Sequence, residues 1–104
     1  MKQLPPIATK LVNLFGGWIV GSAATPNAKL LELRDIDILI PYNNWQQAVA
    51  LVPKDSIPNT FGGWKFKDSN ISIDVWPADL DWFITNMRPI FLWNPKSNIR
   101  LGQI

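Results

Sequence analysis

The chain has 104 residues, 47% of them hydrophobic and 17% charged, with a formal net charge of +2. That composition fits one folded domain over residues 1–104, large enough to bury roughly two-thirds of its unfolded surface but too small for two cores. Cysteine and histidine are both absent, which excludes disulfide staples, thiolate nucleophiles, sulfur-ligated zinc and the histidine-based triads of covalent hydrolases.

Pro5-Pro6 suits a helix start, and Ile7, Leu11, Leu14 and Phe15 recur at helical spacing until Gly16-Gly17, predicting a first helix. Trp18-Ile19-Val20 reads as a short buried strand that runs into a tight turn at Gly21-Ser22. Residues 23–33 carry a weaker pattern, in which Asn27 could cap one helical turn through Leu31. The clearest strand covers residues 35–40, where Ile36, Ile38 and Ile40 fall on one face and Asp35 and Asp37 on the other. Pro41 closes it. Asn43 or Asn44 then serves as the expected cap of a second helix that carries Trp45, Ala48, Val49 and Val52 and ends before Pro53.

Residues 54–60 read as a loop. Residues 63–67 and 71–76 read as a hairpin around Asp68-Ser69-Asn70, and its second strand sets Asp74 opposite the row Ile71, Ile73 and Val75. A third helix is expected to open at Pro77-Ala78-Asp79-Leu80 and to run to about Asn86. After it the tail has one short apolar stretch, Ile90-Phe91-Leu92-Trp93. Helices interleaved with strands predict an α/β (α+β) domain in which a mixed β-sheet packs against helices.

Seven of the eight acidic residues are aspartates, although glutamate is the usual surface acid of helices. Asp35 and Asp37, two apart on a strand, share a face at a separation of roughly 7 Å, a spacing that lets two carboxylates grip a metal pair. Asp74 has the same polarity on another strand. Three acids brought together repel unless a cation neutralises them, so the pattern points to a hard divalent ion, Mg2+ or Mn2+, bound by Asp35, Asp37 and Asp74. Gly21-Ser22 is the candidate phosphate cradle, because glycine allows close backbone approach and exposed N–H groups with a serine hydroxyl can donate to phosphate oxygens.

Residues 18–22, 35–40 and 73–76, in that order and spacing, resemble the signature of the polymerase-β-type nucleotidyltransferase superfamily, and most closely the palm of family X DNA polymerases. The similarity covers about residues 16–86. It implies a nucleotidyltransferase-like fold in which Asp35 and Asp37 bind both metals. Asp74 would bind the catalytic metal and help activate the attacking hydroxyl, and Gly21-Ser22 would hold a nucleoside triphosphate. Where those palms carry arginines after the Gly-Ser pair, this chain has Ala23-Ala24-Thr25-Pro26, which leaves Lys29 or Arg34 of the same loop to grip the triphosphate. The implied activity is transfer of a nucleotidyl group to a hydroxyl on a nucleic acid, a protein or a small molecule.

Simpler readings stand beside these. An Asp-x-Asp is common on solvated strand faces, a Gly-Ser pair is often a plain turn, and most of the six tryptophans are expected in the core. Trp76 is the exception, two residues from Asp74 on the same face. Asp79 and Asp81 read as acids favouring a helix N-terminus, and Lys65 and Lys67 as a solvated strand face. The second functional reading is a catalytically weak or inactive nucleotidyltransferase-fold module that binds a partner protein, or a second copy of itself, in a larger assembly. The ten basic residues are scattered, so no long duplex footprint is expected. No apolar run approaches a membrane span and the N-terminus lacks a signal-peptide pattern, which together predict a cytoplasmic protein without membrane contact.

Overall fold

A computed structural model describes residues 4–25, 35–86 and 91–101. The first helix, α1 (Pro6–Phe15), starts with Pro5 at the N-cap and has proline inside its first turn, where a missing N–H costs nothing. It ends at Gly16, whose φ of 68° gives the left-handed cap. Ala8, Leu11 and Val12 face the core. Leu14, expected on that face, lies about 110° round the helix from its centre and is 65% exposed.

Among the described residues seven strands form one sheet: β1 (Trp18–Val20), β2 (Asp35–Pro41), β3 (Ile57–Pro58), β4 (Trp64–Asp68), β5 (Ile71–Ala78), β6 (Leu92–Asn94) and β7 (Ile99–Leu101). Their order is β3-β4-β5-β2-β1-β6-β7. Only the β2–β5 pair is parallel, so the sheet is mixed and, with its few short helices, the fold is α+β.

Several expected boundaries move. Residues 54–60 contain β3, a two-residue edge strand whose Pro58 costs the sheet no interior hydrogen bond. Helix α2 (Tyr42–Ala48) begins directly after Pro41 and continues into a 3-10 turn at Val49–Leu51. Its expected cap Asn44 instead donates from Nδ2 to the Phe15 carbonyl at 3.0 Å, closing the end of α1. Pro77 and Ala78 belong to β5 and not to a helix, because they pair with Ile40 and Pro41. Helix α3 (Leu80–Asn86) starts two residues later, with Asp79 Oδ1 accepting the Trp82 amide at 2.9 Å. The tail forms a hairpin of β6 and β7. The helical turn expected from Asn27 to Leu31 lies outside the described residues.

The two sheet faces differ. Ile36, Ile38 and Ile40 join Ile19, Ile73 and Val75 beneath α1 and α2 as the main core. On the opposite face Val20, Leu39 and Leu92 pack with Phe83 of α3, and Trp18, Trp76 and Leu80 border them. Among the described residues α3 covers only that end of the face. The aspartates occupy the other end. No helix among the described residues is long and apolar enough to cross a membrane.

Candidate functional site

The pairing of β1, β2, β5 and β4 creates one row across the sheet: Val20, Asp37, Asp74 and Lys65 stand opposite one another in register. The next row on the same face is Asp35, Ser72 and Lys67. Adjacent strands lie ~4.8 Å apart and alternate residues ~7 Å apart along a strand. Asp37 and Asp74 are therefore immediate neighbours, with Asp35 one step along β2. The alternation that buries Ile36, Ile38 and Ile40 forces the acids onto this face.

Asp37 is partly buried and Asp35 is exposed. Burial first, then the Asp74 and Asp35 carboxylates, push the Asp37 carboxyl above its ordinary value of 3.8, and Lys65 pulls it back. Asp74 is restrained from two sides: its Oδ2 lies 3.6 Å from the Lys65 ammonium, and its Oδ1 accepts the Asn59 Nδ2 at 3.2 Å. Lys65 is thus more than a solvated face residue. Among the described residues no group of three acidic side chains is gathered so as to hold a metal ion.

Gly21 adjoins the acid row, since a Cβ built on it would stand 3.8 Å from Asp37 Oδ2. Its φ of 81° also calls for glycine. The turn it opens, Gly21–Ala24, is a 3-10 helix. The Gly21 N–H is not among the donors this turn leaves exposed: it donates to the Phe91 carbonyl at 2.9 Å, extending the β1–β6 ladder by one bond. Ser22 is exposed, and its carbonyl accepts both the amide and the hydroxyl of Thr25. Lys29 and Arg34, expected to grip a triphosphate, lie outside the described residues.

Three contributors went unread in the sequence. Arg100 of β7 donates from Nη1 to the Ala24 carbonyl at 2.8 Å while its guanidinium lies 4.3 Å over the Trp93 ring, which fastens the far end of the Gly-Ser turn. Asn59 organises the β3–β4 loop: its Oδ1 accepts the Phe61 and Gly63 amides, and its Nδ2 reaches the Trp64 carbonyl as well as Asp74. Phe61, carried by that loop, lies against Trp76 with ring centroids 4.9 Å apart. Only Asn59 had a local signal, the turn-forming Gly62-Gly63 just after it. No family model, curated protein or solved structure matches the chain, so the chemistry of the site is argued from its own geometry.

Proposed function

We propose that the chain is a minimal metal-dependent nucleotidyltransferase that moves a nucleotidyl group from a nucleoside triphosphate to an acceptor hydroxyl. The observation that carries this reading is the register of β2 and β5, which sets Asp37 beside Asp74 with Asp35 on the same face. The donor chemistry suits Mg2+ or Mn2+ once the three carboxylates draw together: all are hard oxygen donors, and the Asp74 and Asp35 charges that, after burial, raise Asp37 are those a divalent ion would relieve. A divalent ion at this site would supply charge neutralisation for the phosphates and a template for in-line attack. Gly21 brings the turn's backbone beside Asp37, and the exposed Ser22 hydroxyl is the donor the turn offers. The similarity to family X palms supports a nucleotidyltransferase-like fold, with the acceptor a nucleic acid, a protein or a small molecule.

A second reading, a catalytically weak module of the same fold that serves a partner, draws on two specific contacts. The Lys65 ammonium already lies on Asp74, and the Gly21 amide is committed to Phe91. Calorimetric titration with Mg2+ and each nucleoside triphosphate, on the wild type and on Asp37→Asn, separates the two. The enzyme reading expects metal-dependent triphosphate binding that the substitution abolishes. Absence of such binding in the wild type refutes it in favour of the module.

A further inference from the structure

Beyond the acid row, the same face carries a cleft of about 510 Å3 where α2, the β3–β4 loop, β5 and α3 meet. Its walls are the rings of Tyr42, Phe61, Trp76, Trp82 and Phe83, with the Asp79 carboxylate among them. Three of those rings are left open to solvent: Tyr42 is 65%, Phe61 58% and Trp82 57% exposed. Large aromatics gathered on a surface mark a binding site more often than a folding requirement. Neither the second core cluster nor the acid row uses Tyr42, Phe61 or Trp82.

The charge of the lining selects among occupants. Aromatic faces are electron-rich, the Asp79 side chain adds negative charge, and among the described residues no lysine or arginine lines the cleft. A phosphate-bearing ligand meets repulsion here. A cation meets attraction from the Asp79 carboxylate and wherever it lies over a ring face. Phe61 and Trp76 already lie against each other, with centroids 4.9 Å apart and planes inclined at 35°, so no flat ring can enter between them. Phe83 and Trp76 supply a partly desolvated floor, where cation–π attraction is strongest. We propose that this cleft binds an alkylated ammonium group, either a quaternary amine or an N-methylated one. Asp79 neutralises the charge at the rim. Its Oδ1 is occupied by the Trp82 amide, so the carboxylate is held in place by the start of α3.

This inference does not depend on nucleotidyl transfer, and it is tested without divalent ions or nucleotides. Calorimetry measures binding of choline, of its uncharged isostere dimethylbutanol and of adenosine as a flat neutral ring. Wild type, Phe61→Ala and Trp82→Ala are compared. Both substitutions remove exposed side chains, and circular dichroism checks that the fold is kept. Choline is expected to bind saturably, at least about fivefold more tightly than the alcohol, with each substitution weakening it by at least about fivefold. Equal binding of the alcohol, tighter binding of adenosine, or choline binding unchanged in both variants overturns the proposal. So does a wild-type dimer that Phe61→Ala or Trp82→Ala dissociates, because the cleft would then belong to a second copy of the chain.

Discussion

Replacing Asp37 with asparagine should stabilise the protein at neutral pH. Asp37 and Asp74 face each other across one strand spacing, and two carboxylates about 5 Å apart repel by about 3 kcal/mol at an effective dielectric constant near 20. Lys65 offsets part of this, and solvent reaches this open face, which reduces the net penalty to about 1–2 kcal/mol. In a domain of this size the melting temperature then rises by about 5–10 °C. The sign follows from linkage: the folded carboxyl has a pKa raised above the ordinary 3.8, so the native state keeps a proton that the unfolded chain has already released. Stability is therefore lost as pH rises from 3.8 through the raised value, and the whole penalty is present above it. Thermal melts of the two proteins at matched pH test this. The asparagine variant should gain most at neutral pH, and the gain should be gone near pH 3.8. Added Mg2+ should raise only the wild-type melting temperature, by the equivalent of about 2.7 kcal/mol at a hundred times Kd. A variant that is less stable than the wild type at neutral pH would falsify the like-charge account of this row.

Lys65→Gln removes the monovalent cation on Asp74; it should cost at most about 1 kcal/mol of stability in metal-free protein and tighten Mg2+ binding severalfold by calorimetry, and unchanged affinity would count against competition between ammonium and metal. Asp68 Oδ2 accepts the Ile7 amide at 2.8 Å, a cap on α1 supplied from 61 positions away. Asp68→Ala should therefore lower the free energy of unfolding in urea by about 1 kcal/mol, whereas Asp68→Asn, which keeps an acceptor, should lose less. At Gly63 a Cβ would meet the Val75 carbonyl and come within 2.7 Å of Trp76 Cα; Gly63→Ala is expected to cost more than about 3 kcal/mol, read as loss of the cooperative unfolding transition at ordinary temperature.

What the sequence made legible was local. Strand β2 could be read because alternation has period two and Asp35 and Asp37 interrupt an isoleucine row. Helix α1 could be read because Pro6 and Gly16 mark its ends. Partners were not legible. Nothing in residues 35–41 says that β5 pairs with them in parallel and in a register that sets Asp37 against Asp74. The same limit hid Asp68 as the cap of α1, Asn44 as the stopper of its far end and Arg100 as the clamp on the Gly-Ser turn. Each is a short polar contact between distant segments, and the sequence around it shows only an ordinary turn or surface residue. The Gly21 amide is the instructive case. A Gly-Ser pair before an aspartate strand looks like a phosphate cradle, but its first donor is consumed by Phe91, 70 positions away in a stretch with no strand pattern long enough to announce β6.

Those contacts do not weigh equally on the two functional readings. The Lys65 side chain is about half exposed and its ion pair with Asp74 is a single 3.6 Å contact, the kind that contributes about 0–1 kcal/mol. A divalent ion carries twice the charge and would interact with Asp37 and Asp35 as well, so the ammonium would be a weak competitor for it. The Gly21–Phe91 bond is different, because it prolongs the ladder between β1 and β6, and releasing it means opening the end of that ladder. The ammonium is thus no obstacle to a metal ion, although the three carboxylates would have to draw together from where they stand. The Gly21 N–H is already committed to Phe91, so any grip on a triphosphate would have to come from side chains such as Ser22. The choice between an enzyme and a partner-binding module therefore turns on phosphate recognition and not on the acid row, which both readings share.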